Sequence, residues 1–292
     1  MIKLAAFADE ADKNLDCQIA ALKRNGLSYI ELRGIYDKNI LDVTPEEAEK
    51  YAKTLSDAGI KVWSMGSPIG KIKLDNYNDE YKEKVRHMAK LARIFGTDKI
   101  RSFSFYEAYG RDEEVYAALN EMQSIAESEG ACLYHENERG IFGDTAERVL
   151  KLMANVKGMK FVYDPANFLM IGEDADMTLD ALHGKTDYFH IKDVIAETKQ
   201  IVPAGYGDGK IHELVSRITD DKVLTLEPHL KMFVGYANID TEEMKNKFSF
   251  KDNNEAFASL VKLEEVHPDA DRAPYLEAYA RWKECLAREL DR

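Results

Sequence analysis

Four short apolar runs between residues 132 and 227 each end in a side chain that can bind a metal ion. The four residues are Glu136, Asp164, His190 and Glu227. An isolated charge at the end of a buried strand is very costly, and none of these four ends offers an arginine partner. Three carboxylates and one imidazole suit Mn²⁺, Mg²⁺ or Co²⁺, with Zn²⁺ less favoured. The sequence therefore predicts one divalent cation here, with Mn²⁺ as our first choice.

The elements that must position these residues are indicated by a series of glycines. Each of five glycines follows an amphipathic stretch and precedes a short apolar run: Gly26, Gly59, Gly96, Gly130 and Gly158. Glycine adopts positive φ at low cost and commonly ends a helix. The pattern therefore predicts a helix, a glycine and a buried strand in each unit, and Gly184 continues the series.

The same pattern predicts eight strands along the first four fifths of the chain. We place them at Lys3–Ala8, Tyr29–Arg33, Lys61–Met65, Lys99–Phe103, Cys132–Glu136, Lys160–Asp164, Tyr188–Lys192 and Val223–Glu227. Strands that alternate with helices form parallel sheets, and eight such units predict a closed (β/α)₈ TIM barrel. An open doubly wound sheet is the alternative. It is less favoured because Asp9-Glu10-Ala11-Asp12, and no glycine-rich phosphate loop, follows the first strand.

Helix boundaries are legible in several units, and the pattern changes after the last predicted strand. Thr44, Pro45 and Glu47 form a capping box with proline at the first helical position. We assign residues 1–265 to the barrel, with 230–250 as a loop and 252–263 as its last helix. Residues 266–292 form a C-terminal helical extension, which could cover the barrel or dock on another subunit.

Composition limits the classes of function. The formal net charge of −13 argues against a nucleic-acid partner, since such proteins normally present a basic face. The three cysteines lie far apart, which fits a reducing compartment and excludes a thiolate zinc cluster from adjacent ligands. We find no secretory signal and no apolar run long enough to span a membrane. These features predict a cytoplasmic protein with no membrane or nucleic-acid partner.

The chain resembles the superfamily of sugar isomerases and epimerases with xylose isomerase-like TIM barrels. The resemblance covers residues 1–229 and is clearest in five segments, HENERGIFGDT (135–145), VYDPANF (162–168), FHIKD (189–193), VPAGYGDG (202–209) and LTLEPH (224–229). The superfamily includes ketose 3-epimerases, hydroxypyruvate isomerases, and inosose dehydratases and isomerases. The resemblance implies that Glu136, Asp164, His190 and Glu227 bind one metal. It also implies that Glu136 and Glu227 are the catalytic acid–base pair.

Two positions depart from the epimerase pattern. Asn167 stands where the pattern has histidine, and Ala196 where it has arginine. Both family residues help to hold substrate, so the departures bear on the substrate and the reaction but leave the ligand set intact. We expect Asn167, Glu138 and Lys192 to bind substrate, and Asp193 to support the metal site from behind the ligands.

Two reactions remain open for this ligand set. In the first, the cation polarises a ketose carbonyl and stabilises an enediolate, while Glu136 and Glu227 move protons on opposite faces. In the second, a leaving group on the β-carbon departs, as in a dehydratase or a lyase that cleaves a keto-glycoside. We expect a small sugar or polyol substrate, unphosphorylated or inositol-like, and a homo-oligomer. A subunit of a hetero-oligomeric lyase and a barrel without activity are further alternatives.

Several other polar residues allow two interpretations. His135 should point away from Glu136 on its strand, and a packed histidine behind the barrel wall is at least as good a reading as a functional one. Glu31 and Arg33 either pair with each other or line the site. The segment from Lys71 to Lys73 is either a lid or, as we prefer, a solvated loop.

Overall fold

The computed structural model describes residues 2–229. Eight parallel strands form one sheet: β1 (Ile2–Ala6), β2 (Tyr29–Leu32), β3 (Lys61–Ile69), β4 (Lys99–Ser102), β5 (Cys132–Glu136), β6 (Lys160–Tyr163), β7 (Tyr188–Ile191) and β8 (Lys222–Leu226). Their order is β1-β8-β7-β6-β5-β4-β3-β2, and β2 packs beside β1. The sheet is thus a nearly closed parallel barrel, which confirms the predicted TIM barrel and rules out the open sheet.

Helices connect the strands around the outside. They are α1 (Leu15–Arg24), α2 (Pro45–Asp57), α3 (Asp79–Ile94), α4 (Asp112–Ser128), α5 (Ala146–Asn155), α6 (Pro165–Met170), α7 (Ala175–Leu182) and α8 (Ile211–Ser216). Two short antiparallel ribbons project from the ends of β2 and β7, one formed by Gly34–Ile35 with Lys38–Asn39 and one by Asp193–Ile195 with Gln200–Val202. None of the helices within residues 2–229 is long and apolar enough to cross a membrane.

The helix signals in the sequence are confirmed locally. Thr44 accepts a hydrogen bond from the backbone N–H of Glu47, whose side chain accepts in return from the N–H of Thr44. The glycines that were predicted to end helices, from Gly26 to Gly158, all have φ between +70° and +80°. Gly184 differs, because it lies inside a 3₁₀ turn at His183–Lys185 and has no positive φ.

The barrel has two separate apolar regions. The larger fills the space between the sheet and the surrounding helices, where α3 buries the predicted face that includes Tyr81, Val85, Met88 and Leu91. A small inner cluster of Ala5, Val162, Tyr188 and Val223 closes the interior of the barrel, with Tyr29, Trp63 and Tyr134 packed against it. Beyond this inner cluster the interior becomes polar, and the polar layer forms the mouth of the barrel.

Strand β3 is longer than the sequence suggested. Gly66 and Pro68 favour a break after Met65, yet the strand continues to Ile69 with an irregular register against β4. Arg101 holds the extra segment, since its guanidinium donates to the carbonyls of Gly66 and Ser67 at 3.0 and 3.3 Å. The predicted loop at 230–250, the helix at 252–263 and the C-terminal helix all lie outside the described residues.

Candidate metal centre

The four predicted ligands come together at the carboxyl ends of β5 to β8. Glu136, Asp164, His190 and Glu227 each place a ligand atom within 4.8 Å of the others. All four side chains are buried, with exposures of 4% or less. The mouth of a TIM barrel is where catalytic residues of such enzymes lie, so the arrangement defines a candidate metal centre.

Local structure explains how Asp164 is held. It is the N-cap of α6, with Pro165 at the first helical position, and its Oδ1 accepts a hydrogen bond from the N–H of Asn167. The ends of β5 and β6 are also tied together. Asn137 donates to the carbonyl oxygen of Asp164 at 2.8 Å and accepts from its N–H at 2.9 Å. These contacts leave Oδ2 of Asp164 facing the cluster.

The residues present fit a divalent cation. Oδ2 of Asp164 is buried and accepts no well-oriented hydrogen bond within residues 2–229, although Nζ of Lys192 lies 2.7 Å away. Burial raises the pKa of Asp164 to about 6 despite the neighbouring ammonium, since Glu227 and Glu136 also disfavour its charge. Two oxygens and a ring nitrogen of the other three ligands lie beside it. Such an oxygen-rich set with one imidazole is a normal environment for Mg²⁺, Mn²⁺ or Zn²⁺.

His190 has a carboxylate on each ring nitrogen. Its Nδ1 lies 2.9 Å from Oε1 of Glu136 and 3.5 Å from Oε2 of Glu227, whereas Nε2 lies 3.1 Å from Oε2 of Glu31. Burial alone would lower its pKa, but the Glu136 and Glu31 carboxylates outweigh burial and raise the pKa to about 10. The imidazole is therefore cationic in the absence of metal.

The structure corrects our argument that these carboxylates lack arginine partners. Two arginines reach them from strands on the other side of the barrel. Arg101 on β4 lies 3.3 Å from Glu136, and Arg33 after β2 lies 3.1 Å from Glu227. A metal ion is thus not the only cation that can balance this cluster. The case for metal rests on the geometry and the donor set.

Neighbouring cations keep both glutamates ionised. Burial opposes the charge of Glu136, but His190 and Arg101 outweigh it and lower the pKa to about 2. Burial likewise opposes the charge of Glu227, yet Lys192 and other cations hold its pKa well below the usual range. Both carboxylates can accept a proton, and neither carries one.

A cavity of about 440 Å³ opens directly above the cluster. Within residues 2–229, the side chains that line it are all ionisable: Asp9, Glu10, Arg33, Lys71, Arg101, Glu136, Glu138, Lys192, Glu227 and His229. Such a lining suits a small molecule with many hydroxyl groups better than an apolar ligand.

The predicted substrate-binding residues take different positions. Glu138 and Lys192 both line the cavity, and Lys192 lies between Asp164 and Glu227, at 2.7 and 3.4 Å. Asn167 is buried beside the cavity, where its side chain donates to the carbonyl of Asn137 and lies 3.4 Å from Glu136. Asn167 thus contacts Glu136, a candidate metal ligand. It is not among the described residues that line the cavity.

Asp193 holds a loop through backbone hydrogen bonds, and its expected support of the metal site stays a prediction. Its carboxylate accepts from the backbone N–H groups of Val194, Gly205, Gly207 and Gly209, at 2.8 to 3.0 Å. A Cβ at Gly207 or Gly209 would lie 2.4 or 2.7 Å from this carboxylate, so the loop needs glycine there. The glycine-rich segment 205–209 is therefore built around an internal anion.

His135 is a packed histidine, in agreement with the alternation along β5. It lies outside the barrel wall, where Nε2 is 2.9 Å from Oγ of Ser104 and the ring stacks on Phe161. Burial lowers its pKa to about 3, so the ring is neutral.

The structure also decides between the two interpretations of Glu31 and Arg33, because the two residues do not pair with each other. Arg33 binds Asp9, Glu10 and Glu227, and Glu31 binds His190 and Tyr188.

Several residues of the site were missed in the sequence. Arg101 could most easily have been predicted, because a charged residue inside the apolar run KIRSF indicates a buried ion pair. Lys71 was read as solvated, yet it lines the cavity and lies 2.8 Å from Glu138. Gly70, with φ +91° and Phe103 backbone atoms where a Cβ would stand, is the turn that brings Lys71 there. In the sequence, the only indication of this turn was a glycine next to a lysine.

The fold and the site together define the class of this protein, which is a parallel (β/α)₈ barrel with a carboxylate–histidine cluster at its mouth. The chain belongs to the Xylose isomerase-like TIM barrel family, whose model matches residues 19–244. No curated protein sequence matches it.

Solved structures share the fold at low sequence identity. A probable 3-DHS dehydratase, AsbF from Bacillus anthracis, is 18% identical with a TM-score of 0.65, covering 84% of this chain and 96% of its own. An L-ribulose 3-epimerase is 17% identical with a TM-score of 0.65 and coverage of 99% and 95%. The IOLI protein, solved with a bound zinc atom, is 17% identical with a TM-score of 0.63 and coverage of 89% and 99%.

Proposed function

We propose that this protein is a divalent-metal-dependent sugar isomerase or epimerase. It would move a proton at the carbon next to the carbonyl of a small ketose-like or inositol-like substrate. The observation that carries the proposal is the cluster of Glu136, Asp164, His190 and Glu227 beneath a cavity whose lining, in the described part of the chain, consists of ionisable side chains. A structure of IOLI with zinc gives further support, since it has the same fold and holds a metal.

The four residues of the cluster would hold the cation. When bound, a divalent cation supplies a Lewis acid that polarises the carbonyl and stabilises the enediolate of the substrate. The protein supplies the proton transfer. Glu136 on β5 and Glu227 after β8 both face the cavity and are both ionised, so each can accept a proton from carbon.

Other cavity residues would orient the substrate. Lys192 can donate to substrate oxygens because its ammonium lies at the cavity surface beside Asp164 and Glu227. Glu138 also lines the cavity and can accept from substrate hydroxyl groups, although in this structure it pairs with Lys71. Asn167 would act indirectly, by holding Glu136 through its amide group.

A β-elimination reaction, in a dehydratase or a keto-glycoside lyase, is the second candidate. Epimerisation needs a proton donor on the second face, yet both glutamates are ionised in the metal-free site. Lys192 is a protonated amine beside them at the cavity surface, and Asp164 and Glu227 raise its pKa against the effect of burial. An ammonium in this place can donate a hydrogen bond to a leaving oxygen and stabilise the negative charge that develops on it. The departures at Asn167 and Ala196, together with the fold shared with a probable dehydratase, favour the same reading.

Metal analysis and a substrate screen in deuterated water with Mn²⁺ test the proposal. We expect about one divalent ion per chain, and deuterium that enters a ketose next to its carbonyl. In Glu136→Gln the exchange should fall by about 10²-fold or more, because a general base is lost. Metal without exchange on any ketose, but with water or an alcohol released, would select elimination. A protein that binds no divalent ion would refute both candidates.

We also propose finer properties that go with this function. Mn²⁺ is our first choice of metal, with Mg²⁺, Co²⁺ and Zn²⁺ as alternatives. The substrate would be an unphosphorylated sugar or polyol, because the sequence contains no glycine-rich phosphate loop. A homo-oligomer in the cytoplasm is the expected state.

A further inference from the structure

Glu31 is a fully buried carboxylate that the proposed chemistry does not use. It lies at the end of β2, across the barrel from the ligands, and its exposure is 0%. The side chains that line the cavity do not include it, so it has no contact with a substrate there. A buried carboxylate is retained at considerable cost, which calls for a specific role.

Each oxygen of Glu31 has one donor. The hydroxyl of Tyr188 donates to Oε1 at 2.8 Å, and Nε2 of His190 lies 3.1 Å from Oε2. Tyr188 is itself buried, and Oγ of Ser64 lies 3.3 Å from its hydroxyl. The carboxylate is therefore fixed in position before any metal arrives.

This contact determines which nitrogen of His190 is available to a cation. Without metal both ring nitrogens face carboxylates; a cation held with Glu136 and Glu227 would need the lone pair of Nδ1, and the remaining hydrogen of the ring would then reside on Nε2, where the Glu31 carboxylate accepts it. Nδ1 then has a free lone pair and faces Glu136 and Glu227, at 2.9 and 3.5 Å. The ring plane is held as well, because Phe7 and Tyr188 contact the ring edge to face, at 5.1 and 5.6 Å between centroids.

We propose that Glu31 is a positioning residue that, together with Tyr188, fixes the tautomer and orientation of His190 for metal binding. The inference rests on the proposed function, because it assumes that His190 binds a metal through Nδ1. A histidine ligand whose second nitrogen donates to a carboxylate is a more basic and better oriented ligand. Glu31 would thus raise metal affinity without contact with metal or substrate.

Titration of the metal-free protein with Mn²⁺, followed by calorimetry, tests this role. Glu31→Gln keeps the shape of the side chain and should lower Mn²⁺ affinity by about 10- to 100-fold. Tyr188→Phe should lower it less, since Glu31 still reaches His190. Asp144→Asn is the matched control. Asp144 is also a buried carboxylate bonded to a tyrosine hydroxyl and a cation, Tyr109 and Arg148, but it is not among the cluster residues.

A second readout separates positioning from general loss of structure. In protein labelled with ¹⁵N-histidine and loaded with Zn²⁺, His190 should show a protected Nε2–H resonance in the wild type and in Asp144→Asn. The resonance should move and exchange faster in Glu31→Gln. Wild-type affinity and an unchanged resonance in Glu31→Gln would overturn the role of Glu31 alone. A wild type that binds no divalent ion would overturn the proposed function and this inference with it.

Discussion

The two halves of the barrel mouth carry different chemistry. Strands β5 to β8 end in the carboxylates and the histidine of the candidate metal centre. Strands β1 to β4 contribute the two arginines that balance those carboxylates, and the buried Glu31 that orients His190. Phe7 separates the two guanidiniums, with Arg33 at 4.4 Å and Arg101 at 4.9 Å from its ring centroid.

The difference teaches that β5 to β8, the ligand half, provide the candidate metal ligands, whereas β1 to β4, the tuning half, provide the charges and contacts that act on them. Removal of any one carboxylate from the ligand half should abolish its metal binding, because a metal site needs its full set of donors. The tuning half acts through charge and orientation, so its substitutions should change stability and affinity by smaller amounts. Four experiments test this division, from the largest expected effect to the smallest.

Substitution of a ligand should have the largest effect. In Glu227→Gln we expect kcat to fall by about 10³-fold or more, because we propose that the residue is both a metal ligand and a proton acceptor. Bound metal per chain should also fall. Turnover and metal content measured together check this, with Asp144→Asn as the control that keeps both. A Glu227→Gln enzyme with normal metal content and turnover would break the division between the halves.

Substitution of Arg101 should affect the stability of the fold more than it affects metal binding. Arg101→Met leaves Glu136 without its guanidinium, and the loss of one partner of a buried pair costs about 3–5 kcal/mol. The variant should also bind Mn²⁺ more tightly, because a positive charge beside a ligand is gone. Urea unfolding with and without Mn²⁺ measures both effects. An equal loss of stability in the two conditions would mean that Arg101 does not compete with the metal.

The outer face of β5 gives a pH-dependent effect of intermediate size. Burial lowers the pKa of His135 to about 3 in the fold, whereas a free histidine titrates near pH 6.5. The unfolded chain therefore binds the proton first, and stability from this residue is lost as pH falls from about 6.5 towards 3. Between pH 7 and pH 5 the loss is about 2 kcal/mol.

Urea unfolding of the wild type and His135→Gln at both pH values isolates this contribution. The variant should lose about 2 kcal/mol less than the wild type between pH 7 and pH 5. The same loss in both proteins would show that His135 is not held neutral. Its neighbour Glu136 faces the barrel interior, so the metal content should be unchanged.

Loss of the salt bridge between Lys71 and Glu138 at the cavity should have the smallest effect. Lys71 and Glu138 pair at 2.8 Å with side chains that are 30% and 25% exposed, and such pairs contribute about 1 kcal/mol or less. Lys71→Met should therefore leave stability and metal content nearly unchanged. KM for the substrate should rise by up to about 10-fold, because the cavity edge loses a donor. A loss of metal in this variant would contradict the position of Lys71 at the cavity edge, outside the candidate metal centre.

Much of the ligand half could be predicted because its chemistry is local in sequence. Each ligand follows its own apolar run, and strands of one parallel barrel place their carboxyl ends at one mouth. The fold itself followed from the glycines that end helices and from the alternation of strand and helix. The predicted strands agree with the observed ones to within a few residues, apart from the extension of β3, which depends on Arg101.

The partners of those residues were decided by tertiary structure alone. Arg33 is 194 positions from Glu227, Glu31 is 159 from His190 and Arg101 is 35 from Glu136. No local pattern links them, because they meet across the interior after the barrel closes. Asp193 shows the same limit, since its position after His190 did not indicate the hydrogen bonds that it accepts from the glycine-rich loop. The sequence alone determined which groups lie at the mouth, and the closed barrel determined which of them touch.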